Sequence, residues 1–156
     1  MEIRRDTIEK LWKVFDKNRD LVKRGYYKGF QLYETPTGKV ITIKLKNTTG
    51  WYSLVCFYDL PEFRVDVYDM HVFERYQERF RRGTGKDIIT EFIRRGNCGG
   101  TLLAKDDGRA EKRIPDGATL GTVGDGLVYY KTYLPDKMLR ENQMEYLLEL
   151  EDHVDN

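Results

Sequence analysis

The chain has no long apolar run. Its opening segment, MEIRRDTIEKLWKVF, is broken by charge at short intervals, so neither a secretory leader nor a membrane-spanning helix is expected. Cysteine is scarce: Cys56 and Cys98 are the two in 156 residues. Neither has further Cys or His at ligand spacing, so there is no zinc pattern, and no metal or other cofactor is expected. Cys56, inside SLVCFY, reads as a small buried hydrophobe, and Cys98, inside RGNCGG, as a loop thiol. Reduced thiols in a cytoplasmic setting are the default expectation. Net charge is nearly absent, at +1, so the sum says little about partners. Internal repeats, low-complexity tracts and linkers are also missing, which predicts one domain over residues 1–156.

What is present is a globular composition: 40% hydrophobic and 34% charged residues, with 11 tyrosines, read against disorder and for a packed core. Charge is unevenly placed. Met1 to Arg24 carries eight cations against five carboxylates, a local +3, whereas Glu141 to Asn156 carries six carboxylates and no Lys or Arg. The acidic end reads as a solvated helix face or as a cover over a basic site.

Local patterning predicts an α+β fold: N-terminal helix, antiparallel β meander, helix pair, C-terminal β-hairpin and helix. Asp6-Thr-Ile-Glu9 has capping-box spacing, and Ile8, Leu11, Trp12, Phe15 and Val22 keep a helical period up to Gly25, giving one helix from Thr7 to Arg24. The runs YYKGFQLYE, KVITIKLK, WYSLVCFYD and FRVDVYD, separated by Pro, Gly and Asn turns, form the meander. Asp69 caps a helix through Arg82, and Thr84-Gly-Lys-Asp87 opens a second through Arg95. Leu103 to Gly117 is polar, a long loop or an irregular hairpin. Gly124-Asp125-Gly126 joins two β-like runs as a hairpin. Asp136 caps a last helix with Leu139, Gln143, Tyr146, Leu147 and Leu150 near one face.

The helix DMHVFERYQERFRRG carries the chemistry. At 100° per residue, Val72, Phe73, Tyr76 and Phe80 span an apolar arc of about 100°, while His71, Arg75, Arg79 and Arg82 share a polar stripe of about 80° beside it. Near a helix N-terminus the macrodipole, with cationic Arg75, favours a neutral imidazole, the state a general base needs. Guanidinium forks bind phosphate oxygens in bidentate fashion at any working pH. Such a kit suffices for metal-independent cleavage of RNA: the base takes the 2′-hydroxyl proton and the arginines stabilise the phosphorane-like transition state. The opposing reading pairs Glu78 with Arg82 and Arg75 as ordinary surface charge, worth ~0.3–0.5 kcal/mol per pair. A metal-dependent hydrolase built on His71, Glu74 and Glu78 is a further reading, opposed by the neighbouring arginines.

HVFERYQER, followed by KDIITEFIRRG and a late strand YYKTYL, resembles the His-x-x-x-Arg-x-x-x-Arg pattern of small phage and toxin proteins grouped with the barnase–colicin–RelE-like metal-independent ribonucleases. The resemblance implies His71 as general base, Arg75 and Arg79 as phosphate clamp, and Thr132 as the late-strand hydroxyl. Lys131 and Thr132 point to opposite faces of a regular strand, and Thr132 is favoured for the site. Arg82, Lys131, Arg109 and Arg113 are candidate RNA contacts, Lys112 being read with the last two as a solvated or substrate-facing cation. The pairs Tyr26-Tyr27 and Tyr129-Tyr130 each place one ring outward, suited to base stacking or to a protein interface. The expectations are therefore a cytoplasmic ribonuclease or toxin-like protein of a phage or mobile element acting on single-stranded RNA, possessing no membrane segment. The alternative is a non-catalytic module binding RNA or a protein partner, such as an inhibitor.

Overall fold

Strict alternation along the central strands decides the architecture. The computed structural model describes residues 5–36, 38–46, 52–58, 64–80, 87–124 and 127–141, with side chains as far as 138. Helices α1 (Arg5–Lys17) and α2 (Arg19–Lys23) are followed by β1 (Phe30–Thr35), β2 (Gly38–Lys46), β3 (Tyr52–Tyr58) and β4 (Arg64–Asp69). Then come α3 (Met70–Arg79), α4 (Ile88–Arg94), β5 (Thr101–Ala104), β6 (Arg109–Ile114), β7 (Gly117–Gly124), β8 (Leu127–Leu134) and α5 (Asp136–Glu141). The strands form one open sheet of order β1-β2-β3-β4-β8-β7-β6-β5. Every pairing is antiparallel except β4 with β8, which is parallel and joins the meander to the later strands.

Successive residues serve opposite faces. Phe30, Ile41, Val55, Phe57, Val65, Val67 and Leu127 pack under Ile8, Phe15 and Val22 of the N-terminal helices. Their neighbours Val40, Leu54, Cys56, Tyr58, Tyr68, Val128 and Tyr130 pack under Val72, Phe73 and Tyr76 of α3 and Ile89, Phe92 and Ile93 of α4. Each such side chain, moved fully out of water, stabilises the fold by about 1.5–3 kcal/mol before entropy is counted. β3, apolar on both faces, is central as its composition indicates.

The α+β reading holds, with local differences. The single N-terminal helix is interrupted at Asn18, whose side-chain amide donates to the Val14 carbonyl at 2.8 Å. Asparagine competes for backbone groups in this way and so breaks helices. Asp6 lies within the first turn of α1 rather than before it, and Glu9 pairs with Arg5 at 3.2 Å. Of the two readings of the polar stretch after Leu103, the hairpin holds: β5 and β6 pair antiparallel, with Ala110, Lys112 and Ile114 buried and the residues between them turned outward. Asp69 caps α3 as expected, accepting from the His71 backbone N–H at 3.0 Å, but the helix ends at Arg79. Asp87 caps α4 through the Thr90 N–H. Arg82, residues 125–126 and the acidic segment from 142 onward lie outside the described residues. Among those described, no helix is long and apolar enough to cross a membrane.

Candidate functional site

On α3 the apolar arc behaves as its spacing dictates: Val72, Phe73 and Tyr76 are buried. Phe80 caps the helix end and stays partly exposed, stacked on Tyr76 with ring centroids 5.2 Å apart. His71 begins the polar stripe, its side chain 38% exposed and its Nδ1 3.2 Å from Glu74 Oε2. Arg75 lies on the same stripe and donates to Glu78 at 3.1 Å. Arg79 turns inward and donates to the backbone carbonyl of Tyr133 at 2.9 Å. One guanidinium thus faces a carboxylate and the next ties α3 to β8, rather than both opening toward a common phosphate position. His71, Glu74 and Glu78 do not form a metal-ligand set: among the described residues no group of three such side chains can hold an ion.

The late strand departs from regular geometry. Leu120 lies opposite Thr132 but Gly121 lies opposite Tyr130, so Lys131 is the extra residue of a β-bulge. The bulge lets both Tyr130 and Tyr133 face α3. Thr132 shares instead the face of its partner Leu120, which packs with Ala118, Leu134 and Met138, and it has no exposed surface. Thr132 was expected to enter the groove beside His71; the bulge turns it away. Lys131 is half-buried with its ammonium 5.8 Å from the Tyr129 ring centroid. Arg109 is held by Asp107 at 2.6 Å and Arg113 lies 3.5 Å from Glu111. Both alternate with Ala110 and Ile114, so they point away from the α3 layer and do not converge on His71.

Lys112 corrects the sequence reading most sharply. Standing in the apolar register of β6, it has 0% exposure and donates to Asp66 Oδ2 at 3.0 Å, to the Cys98 carbonyl at 2.7 Å and to the Tyr68 hydroxyl. Its ammonium also lies 4.5 Å from the Tyr130 ring centroid. Asp66 accepts in addition from Arg64, at 3.1 and 2.9 Å, and from Tyr58 at 3.2 Å. Burial, and then the Asp66 charge, push the Tyr58 hydroxyl well above its ordinary range, so it stays a donor. A second cluster centres on Asp116, which receives two bonds from Arg95, at 2.6 and 2.7 Å, and one each from Asn97 and Tyr76 at 2.8 Å. Both clusters bind layers together, and Asp66, Lys112 and Asn97 at their centres have no exposed surface.

An open concavity lies elsewhere, where α2 meets β1. Gly25, at φ 78°, lets the chain reverse: its N–H donates to the Val22 carbonyl and that of Tyr26 to the Leu21 carbonyl, the paired bonds of a Schellman turn. Gly29, at φ 103°, completes the turn into Phe30. The cleft so formed, about 550 Å³, is lined by Lys23, Arg24 and Lys28 together with Tyr27 and Gln31, with no carboxylate among its described lining residues. All three cations are exposed, and none has an acidic partner among the described residues. Tyr26, next in the chain after Gly25, has 76% of its surface exposed, while Tyr27 packs on Phe30. These cations were not singled out from sequence. The signals were the local surplus of positive charge before Gly25 and the adjoining tyrosine pair.

Compared with family models, with curated proteins and with solved structures, the chain matches none.

Proposed function

We propose that the protein binds single-stranded RNA, without cleaving it, through the cationic cleft between α2 and β1. The observation that carries this reading is that Lys23, Arg24 and Lys28 line one concavity with no carboxylate among its described lining residues, and that Tyr26, within the same turn of chain, is 76% exposed. Cationic grooves follow a phosphate backbone, and an aromatic face offers a stacking surface worth about 1–3 kcal/mol per base. A single strand suits this arrangement because its bases are free to leave the stack, whereas duplex bases are not. Against cleavage stand the engagement of Arg75 and Arg79 in contacts within the protein and the burial of Thr132.

Fluorescence anisotropy with a labelled single-stranded RNA, in excess chelator, tests the reading. Binding by the wild type, weakened at least tenfold in the K23E/R24E/K28E variant and unchanged in His71→Ala, is expected, with the oligonucleotide intact afterwards. Equal affinity in the charge-reversed variant would overturn the cleft. Chelator-resistant cleavage that disappears in His71→Ala would instead restore the ribonuclease reading.

A further inference from the structure

Cys56 and Cys98, distant in sequence, meet in the interior with their Sγ atoms 3.8 Å apart, and neither has exposed surface. Cys56 is fixed within central β3, opposite Asp66 of β4. Cys98 ends the turn after α4, and its carbonyl is held from two sides, by the Tyr58 hydroxyl at 2.6 Å and the Lys112 ammonium at 2.7 Å. These two bonds fix the position of Cys98 facing its partner. A disulfide needs about 2.05 Å between sulfurs, so the remaining gap is under two ångströms.

We propose that Cys56 and Cys98 form an intramolecular disulfide on exposure to a peroxide, an oxidative modification site that locks the α4–β5 turn onto β3. The two sulfurs have unequal roles. The hydrogen bond from Cys56 first, and the nearby Lys112 charge after it, outweigh burial and lower the Cys98 pKa. Burial first, then the bond to Cys98, raises that of Cys56, which keeps its proton. Thiolate is the attacking form. Cys98 lies on a turn whereas Cys56 lies within a central strand, so Cys98 is the sulfur that meets the peroxide: as its thiolate it attacks one peroxide oxygen, the O–O bond breaks, hydroxide leaves and Cys98 becomes a sulfenic acid. Cys56 gives its proton to that hydroxide, and its sulfur attacks the sulfenic sulfur. The S–S bond forms as the S–O bond breaks, and the departing hydroxide takes up a proton from solvent. The sum is two thiols and one hydrogen peroxide giving one disulfide and two waters. Entry is by local opening of the turn, where Gly96, Gly99 and Gly100 flank the site and where sub-global unfolding costs less than global unfolding.

The full-length protein, treated with dilute hydrogen peroxide, quenched, denatured and alkylated, provides the test by intact-mass spectrometry. The expected product has lost two hydrogens, takes up no alkyl group, recovers both thiols with dithiothreitol and melts roughly 5–10 °C higher than the reduced protein. A Cys56→Ala variant should instead stop at an oxygenated or alkylatable Cys98. Two alkylatable thiols remaining in the wild type, added oxygen on Cys98 with Cys56 still alkylatable, or a disulfide between two chains would each overturn the proposal.

Discussion

The ammonium of Lys112 and the carboxylate of Asp66 meet 3.0 Å apart with no solvent contact on either side chain. Burying two charges costs several kcal/mol per ion, and the pairing offsets this only where the remaining donors and acceptors are also satisfied. Tyr68, the Cys98 carbonyl, Arg64 and Tyr58 supply those partners. Lys112→Met removes the cation while keeping most of the volume, and leaves a buried carboxylate with less compensation. Urea denaturation at neutral pH should show a loss of about 3–5 kcal/mol. A loss below about 1 kcal/mol, the scale of an exposed pair, would mean that the ammonium reaches water.

Asp116 yields a pH dependence. Burial acts to raise its carboxyl, but the bonds from Arg95, Asn97 and Tyr76 together outweigh burial and hold it below the usual range. A depressed folded-state pKa contributes stability that is present above the unfolded value, about 3.9, and is lost as pH falls through the folded value. Asp116→Asn should therefore be less stable than wild type at pH 7. The gap should narrow as pH falls below the unfolded value of about 3.9, where the unfolded chain takes up a proton that the folded carboxylate still resists. Paired urea curves at pH 7 and pH 3 check this; a gap that stays constant would show that the carboxylate charge contributes nothing.

Gly121 stands at the bulge opposite Tyr130, and a Cβ there would run into the carbonyl of Tyr129 on the adjacent strand. Since the obstacle is backbone, Gly121→Ala forces β7 and β8 apart. We expect a loss of more than about 2 kcal/mol, read as a lower Tm or as insoluble protein. Gly25→Ala, with open space around the new Cβ but a positive φ, should cost only about 1 kcal/mol. Equal effects of the two substitutions would contradict the close approach at the bulge.

Arg79 joins α3 to β8 by a bond to the Tyr133 carbonyl. Arg79→Ala should therefore lower stability by about 1.5–3 kcal/mol, the range for a hydrogen bond to a charged group, and leave RNA affinity unchanged. Thermal melting and anisotropy on the same sample separate the two. A stable variant with impaired RNA binding would identify Arg79 as a phosphate contact.

Much of the fold is legible in the residues themselves. Alternation marks β2, Asp69 marks the start of α3, and the glycine turn separates β7 from β8, because these signals are local. The polarity of β6 leaves its stretch open between a loop and a hairpin and hides its buried register: in RAEKRI that register is Ala110, Lys112 and Ile114, and a lysine there reads as surface. Ala110 and Ile114 flanking it at spacing two were the available hint. The bulge at Lys131 has no sequence mark, yet it reverses the facing of Thr132. The meeting of Cys56 with Cys98 likewise depends on how α4 returns across the sheet, which spacing along the chain does not encode. The α3 stripe shares one helix face as its period requires, but period says nothing of the Tyr133 carbonyl waiting for Arg79.

The central claim, RNA held by three cations in the α2–β1 cleft, is tested most directly by the salt dependence of binding. For three phosphate contacts on a single strand, log Kobs should fall against log salt with a slope of about −2, roughly a twentyfold loss from 50 to 200 mM. The K23E/R24E/K28E variant should lose that slope together with the affinity. An unaltered slope in the variant would place the RNA elsewhere on the protein, and no measurable binding by the wild type at 50 mM salt would contradict the claim outright.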